Sequence, residues 1–462
     1  MTGPGQRKPL RSLIGVAMAI AVAGCDVAPV FQTPGFPFAS SFSGKRSGAP
    51  VLLENVAWWS KFNDPVLDEL VTEALAANLD LVLAKERVAE AQVLARTIPE
   101  PVTLTGQAEA GRRGGRTIAD ANGGEAIFGF DWLLDPWGER QAEVRAAQGR
   151  IEVADAELDA AQLLLLSNLA TAYVDLRFQQ RSLQLRRQEL GSRRKTLDLI
   201  TRLQAGNAAT RLDIVRAEAL VSQTQSLIPA SEAAVRVQQN RIAALLGKTP
   251  GQTDPRLISG GRGQPLADMP ADIGIPADLL RNRPDIRIAE RLYYVAVAQT
   301  GVETAQLYPA LSLSGEITLS SFGGASGMEY FFGPTLRLPA LPDGSRRAQV
   351  EVQQSRVRQS QTSWQSSVID AIEEVENALV EYSGSRASVS SARKTVQLYR
   401  ESVDLTRALI GQDGATVRDL LDSEQSVATA NILLSQNLRS LGRNFIALNV
   451  SLGSGSGFKE GS

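Results

Sequence analysis

The chain has 462 residues, enough for more than one hydrophobic core, and is 43% hydrophobic but only 5% aromatic. It has no histidine and one cysteine, Cys25, which argues against His-based acid–base catalysis or a zinc or copper centre and excludes an intramolecular disulfide. The formal charge is −2, or −5 once residues 1–24 are set aside (45 basic against 50 acidic residues). No basic block of the kind a nucleic-acid binder carries is present.

Residues 1–24 read as a secretory signal. Arg7, Lys8 and Arg11 form a basic end, and the apolar run from Leu13 to Gly24 is shorter than the ~18–20 residues that span a bilayer as a helix. The run ends in Val22-Ala23-Gly24-Cys25, which resembles the lipobox of bacterial lipoproteins. That resemblance implies that Cys25 opens the mature chain and carries covalent lipid, several acyl chains at ~0.8 kcal/mol per buried methylene making a stable anchor. Residues 25–57 are then a lipidated extended segment.

A first unit is expected over residues 58–247. It opens with a helix, followed by a β-hairpin over 102–134, in which Val102, Leu104, Gly106, Ala108 and Ala110 alternate with Thr103, Thr105, Gln107 and Glu109. Such alternation matches a transmembrane β-strand and equally a half-buried soluble sheet. The return strand lies near Ile127–Leu133, and the stretch from Arg112 to Glu125 reads as a Gly-rich tip. A long helix follows from Glu139 to about Gln204, close to 100 Å at ~1.5 Å per residue. Leu169, Leu176, Leu183, Leu190 and Leu197 hold a seven-residue spacing, the mark of coiled-coil packing. Ile151, Leu158, Leu165 and Ala172 hold it in a shifted phase, a stutter. Ala205-Gly206-Asn207 stops the helix. The next helix carries Ile214, Val221, Ile228, Val235 and Ile242, with a kink predicted at Pro229.

A Gly/Pro-rich linker over 248–275 leads to a second unit over 276–453 with the same order. Its β-hairpin, 311–338, sets Leu311, Leu313, Gly315, Ile317 and Leu319 against Ser312, Ser314, Glu316 and Thr318, with a tip from Ser320 to Gly327. Pro334 in the return strand is awkward for a ladder. Its long helix carries Val375, Tyr382, Val389, Val396, Val403 and Ile410, the stop is Gln412-Asp413-Gly414, and the last helix carries Leu420, Val427, Leu434, Leu441 and Leu448. Residues 454–462 read as a disordered tail. The acids, which sit on heptad faces, are read as solvated.

The two units are copies. Adding 206 takes Pro136 to Pro342, Gly138 to Gly344, Arg140 to Arg346, Thr210 to Thr416, Asp213 to Asp419, Glu218 to Glu424 and Gly247 to Gly453 without a gap. A period this long is a duplicated domain-sized unit. The expected fold class is mainly α with a membrane β-barrel, a duplicated unit of long antiparallel coiled-coil helices plus β-hairpins. Four strands cannot close a barrel, so this reading demands an oligomer.

Four motifs carry a resemblance over nearly the whole mature chain: Trp58-Trp59-Ser60-Lys61-Phe62-Asn63-Asp64-Pro65, Asp131-Trp132-Leu133-Leu134-Asp135-Pro136-Trp137-Gly138, Arg283-Pro284-Asp285-Ile286 with Ala289-Glu290, and Asp419-Leu420-Leu421-Asp422. Together they resemble the TolC-like outer-membrane efflux protein family, in its NodT-type lipoprotein branch. The resemblance implies a homotrimer, a twelve-stranded β-barrel continued by a twelve-helix α-barrel tube, that spans the outer membrane and extends into the periplasm. It implies a periplasmic adaptor and an inner-membrane RND-type pump as partners, small toxic compounds as cargo, no cofactor and no catalysis. It also implies adaptor contact at the tips, at Gly206, Asn207, Gln412 and Gly414, and a periplasmic aperture at Asp419 and Asp422, with Arg418 and Arg216 as possible partners of these acids. Thr416-x-x-Asp419 and Thr210-x-x-Asp213 also read as helix caps, whereas Asp422 has Arg216 as its repeat partner. Two alternatives stay open: a duct for type I protein secretion, and a periplasmic coiled-coil scaffold without a pore.

Overall fold

The computed structural model describes residues 27–32, 35, 56–115, 118–252, 254–258, 263–267, 279–339, 344–410 and 414–458. Cys25, Asp26 and Gln412 lie outside the described residues. Contacts divide the chain into two compact units: Met1–Phe36 with Glu86–Asp155 and Ile288–Ser366, and Pro37–Lys85 with Ala156–Arg287 and Ser367–Ser462. The longer helices are α1 (Pro65–Ala77), α2 (Leu79–Ala95), α3 (Glu139–Ala205), α4 (Arg211–Ser226), α5 (Ile228–Leu245), α6 (Pro284–Ala305), α7 (Gly344–Ile410) and α8 (Val417–Ser451). α3 and α7 each run for 67 residues, ~100 Å at 1.5 Å per residue.

The first of these units holds the sheet. Strands β1 (Val102–Gly115), β2 (Ile118–Leu133), β3 (Ala310–Phe322) and β4 (Ala325–Arg337) pair antiparallel in chain order. The strands run into the stretches that the sequence assigns to loose tips: Arg112 still faces Asn122 and Ser321 faces Ser326. Gly323 and Gly324, at φ +63° and +85°, make the two-residue turn between β3 and β4, where only residues tolerant of positive φ fit. Pro334 is accommodated in β4 opposite Leu313, in an outer strand of the four-stranded sheet. The segment from Val27 docks on the helices of this unit. Val27 N donates to Trp137 O (3.4 Å), and Phe31 packs edge-on against Tyr294, 5.2 Å between centroids. A Cβ on Gly301 would meet that of Ala28 at 2.5 Å.

The other unit holds the coiled coils. The heptad residues Leu169, Leu176, Leu190, Val375, Val389, Val396, Val403 and Leu448 are buried, as seven-residue spacing requires. Pro229 does more than kink its helix. α4 ends at Ser226, and α5 starts afresh with Pro229 in its first turn, the position where a missing N–H costs nothing. The copy has Ser435 there, and α8 runs on as one helix of 35 residues. After α5 and α8 the chain turns at Gly247 and Gly453, with φ +70° and +73°. Each packs so tightly that a Cβ would lie 2.5 Å from Ala77 O and 2.2 Å from Asn282 O, respectively.

The tail departs from the expectation of disorder from residue 454. Ser454 and Ser456 are buried, the Trp58 indole N–H donates to Ser454 O (3.0 Å), and Phe458 stands edge-on to Trp59 at 4.9 Å. The apolar pair Trp58-Trp59 supplies the surface that orders a Gly/Ser sequence whose own composition carries no such signal. Residues 459–462 lie outside the described residues.

Candidate functional site

The sheet register sorts side chains by face, because residues paired across strands share a side. Val102, Trp132, Leu313 and Pro334 form one row, and Leu104, Phe130, Gly315 and Phe332 the next on the same side. Then come Gly106, Phe128, Ile317 and Tyr330, and after them Ala108, Ala126, Leu319 and Met328. The intervening rows face the other way: Thr103, Asp131, Ser314 and Gly333; Thr105, Gly129, Glu316 and Phe331; Gln107, Ile127, Thr318 and Glu329; Glu109, Glu125, Ser320 and Gly327. One face is apolar across all four strands and the other is mainly polar.

That apolar face is bare. Leu104 is 79% exposed and Tyr330 78%, and β1 is exposed along its whole length. A soluble sheet would cover such a patch; a membrane strand leaves it to lipid. Along β3 the apolar run reaches from Leu311 to Leu319, the span of a tilted transmembrane strand. β1 and β4 are left as edges of the sheet, and such edges are not tolerated in lipid.

At the hairpin tips the residue that stops α3 is Asn207, at φ 57°, rather than Gly206. Ala208 N donates to Leu203 O (2.8 Å) and Gly206 N to Arg202 O (3.2 Å), the bonding of a left-handed cap. Gly414 N donates to Leu409 O (3.2 Å). Thr210 and Thr416 cap α4 and α8 in matching capping boxes. The backbone N–H of Thr210 donates to Asp213 Oδ2 (2.9 Å) and that of Asp213 to Thr210 Oγ1 (3.3 Å), with 2.8 and 3.2 Å for Thr416 and Asp419. The hydrogen bonds from Thr210 and Thr416 hold both carboxyls below the ordinary Asp value. Leu421 closes onto Ile200, Ile214 and Ala217, bordered by Val417 and Leu220.

Asp422 stays in solvent. Its Oδ2 is 3.7 Å from Arg418 Nε with both side chains about three-quarters exposed, a pair of ~0.3–0.5 kcal/mol at most. Arg216 acts instead on Asp213 of its own helix, whose pKa its charge helps to lower.

A different acid is the buried one. Glu424 is 7% exposed, at core spacing between Leu420 and Val427, so the reading of the acids as solvated fails here. Glu424 Oε1 accepts from Arg407 Nη2 (2.7 Å), Thr196 Oγ1 (2.9 Å) and Ser192 Oγ (3.2 Å). Beside it Arg193, 2% exposed, donates through Nη2 to Gln425 Oε1 (2.5 Å). The group joins α3 to α7 and α8 along a cavity of about 350 Å³ lined also by Glu189, Asp404 and Asn431. The signal was present in the sequence as a charge at a heptad core position. A second buried group ties α1 to α3: Tyr173 OH donates to Asp64 Oδ2 (2.5 Å) and accepts from Arg177 Nη2 (2.7 Å). Burial and that bond push the Tyr173 phenol above its ordinary value. These groups bolt helices together, and no cluster of His, Cys, Asp or Glu with metal-site geometry occurs among the described residues.

Known proteins share this design. A family model described as outer membrane efflux protein matches residues 70–248 and 275–454. Nodulation protein T of Rhizobium leguminosarum bv. trifolii is 35% identical, covering 95% of this chain and 96% of its own. The cation efflux system protein CusC of Escherichia coli strain K12 is 25% identical over 96% and 99%. The solved structure of the outer-membrane channel OprN superposes with a TM-score of 0.82 at 28% identity, over 94% of this chain and all of that one.

Proposed function

Because the chain belongs to the outer membrane efflux protein family and is an outer-membrane exit duct of an efflux system, we propose that it works as a homotrimer, passing small toxic compounds from an inner-membrane RND-type pump through a periplasmic adaptor to the exterior. The observation that carries the oligomer is the sheet. Four strands with one continuous apolar face and two bare edges cannot stand in a bilayer alone. β4 of one copy paired with β1 of the next removes every edge, and three copies give twelve strands. In the closed sheet the rows with Thr103, Glu316, Gln107 and Glu109 line a wet lumen, and the rows with Leu104, Phe128 and Ile317 meet lipid.

α3 and α7 carry the chain from the strands to the tips at Asn207 and Gly414, where the adaptor is proposed to bind, with Gly206 and Gln412 beside them. Asp422 is proposed as the main acid of the aperture. Asp419 has a full structural account in its capping box, whereas Asp422 makes only a weak exposed pair with Arg418. Repeated about one axis, Asp422 places three carboxylates on a ring that favours cations. Cys25 is proposed to carry lipid that adds a second hold on the membrane.

The test is single-channel conductance of the purified protein in planar bilayers, with light scattering for the oligomer. Asp422→Ala is expected to change conductance or cation selectivity more than Asp213→Ala does. Equal behaviour of both variants and the wild type would remove the acidic aperture, and a monomer without conductance would remove the duct. Palmitate labelling is expected in the wild type and absent in Cys25→Ser; equal labelling of the two would end the lipid assignment.

A further inference from the structure

The charges around the 350 Å³ cavity between α3, α7 and α8 fall into two sets. Those at depth satisfy one another: Glu424 Oε1 accepts from Arg407 Nη2 (2.7 Å), and Arg193 Nη2 lies 3.5 Å from Glu189 Oε1. Those at the exposed rim do not. Arg400 Nη2 donates to a neutral acceptor, Asn431 Oδ1 (3.0 Å). Asp404, one turn further along α7, has no hydrogen bond or ion pair among the described residues. The duplication supplies an internal control. Moved back by one repeat of 206, Asp404 becomes Asp198, which pairs with Arg202 on its own helix at 2.8 Å. The counterpart of Arg202 is Ala408, so the acid at the cavity rim stands without the partner that its copy has. The wall differs as well. Leu185 and Ile432 line the cavity, and their counterparts are Ser391 and Ser226. An apolar wall and an unpaired acid therefore coincide at this one place.

We infer that this cavity binds a small zwitterion, an amino carboxylate with an apolar body. Arg400 and Asp404 stand four residues apart on one helix, which sets their Cβ atoms roughly 5–6 Å apart on the same face. A guanidinium and a carboxylate at that spacing match the two charges of an amino acid. The ligand's carboxylate takes the Arg400 N–H groups that Asn431 leaves free, a charge-assisted contact, and its ammonium takes the carboxylate of Asp404. Its apolar body lies against Leu185 and Val403, which are buried, and Val427 and Ile432, which are half-buried. Apolar walls with a few convergent polar groups, in a volume of some hundreds of Å³, are the usual make-up of a small-molecule site. The deeper ion pairs add no net charge, so the rim alone sets the preference for a zwitterion over a simple amine or a simple acid. The site lies within one chain and stands apart from the trimeric duct proposed above. A ligand there touches α3, α7 and α8 together and stabilises their joint by mass action.

The probes are L-phenylalanine, phenethylamine, which lacks its carboxylate, and hydrocinnamate, which lacks its amine. Binding to the full-length protein in detergent is followed by saturation-transfer NMR and calorimetry. L-Phenylalanine is expected to bind saturably, one molecule per chain, and each of the other two at least tenfold more weakly. Asp404→Asn and Arg400→Gln are each expected to weaken L-phenylalanine at least tenfold. Both side chains are exposed, and unchanged thermal unfolding of the unliganded variants shows that the fold is intact. Asp198→Asn, the repeat-equivalent change, is expected to leave binding within twofold. Ala428→Phe, which fills the cavity from a half-buried position on its wall, is expected to abolish it. Absence of saturable L-phenylalanine binding, or unchanged binding in either Asp404→Asn or Arg400→Gln, would overturn the inference. Phenethylamine or hydrocinnamate binding as tightly as L-phenylalanine would overturn the zwitterion as the ligand class.

Discussion

Ile317→Arg tests the membrane face of the sheet most directly. Ile317 stands in the row with Gly106, Phe128 and Tyr330, flanked on the same face by Gly315 with Phe332 and by Leu319 with Met328, which puts it near the middle of the apolar band. An arginine at the midplane of a transmembrane barrel costs about 2–4 kcal/mol, roughly a thirty- to thousand-fold shift in the folding equilibrium of each chain. Thr318→Arg is the matched control. Its neighbours in the row are Gln107, Ile127 and Glu329, a wetted face next to an acid, where a cation costs little. The assay is urea-driven unfolding of the protein folded into lipid vesicles, followed by the heat-dependent gel shift of the assembled form. Ile317→Arg is expected to lower stability by the stated amount and Thr318→Arg by less than about 1 kcal/mol. Equal losses, or a larger loss at Thr318, would refute the assignment of the faces and return the sheet to a soluble reading.

Four further outcomes follow from the helical unit. Gly453→Ala forces a left-handed backbone on alanine and drives its Cβ to 2.2 Å from Asn282 O, so a loss of about 2–3 kcal/mol is expected. Gly206→Ala, whose Cβ meets nothing closer than 3.6 Å, is expected to change the dissociation temperature of the assembly very little. Trp58→Phe removes the buried donor to Ser454 O and should cost about 1–2 kcal/mol, with protease cleavage after residue 453 as the readout. The capping boxes give a pH dependence whose sign follows from depressed carboxyl pKa values. Folded Asp213 and Asp419 hold their protons less tightly than in the unfolded chain, so the caps stabilise above the ordinary Asp pKa of ~3.9 and that contribution is lost as pH falls through the depressed folded value. The protection factors of the Val417–Leu421 amides, taken relative to intrinsic exchange at each pH, should fall in acid in the wild type and be already low at neutral pH in Asp419→Asn.

The sequence alone determined the elements and their repetition, because those rest on local periodicity. Seven-residue spacing specifies the coiled-coil helices, two-residue alternation specifies the strands, and the offset of 206 equates Thr210 with Thr416 and Gly247 with Gly453 before any coordinates exist. Capping is equally local, so both boxes at the tips could be read from four residues each. What tertiary structure decided depends on partners distant in the chain. That Trp58-Trp59 orders Ser454–Phe458 is an outcome of packing. The sharpest case is the pair of equivalent acids. Glu218 and Glu424 share a repeat position, a heptad position and a residue type, yet one is exposed and the other buried beneath Arg407, Ser192 and Thr196. A carboxylate leaves water only where charged and hydroxyl partners replace its hydration, and those partners stand on other helices, beyond the reach of any local pattern.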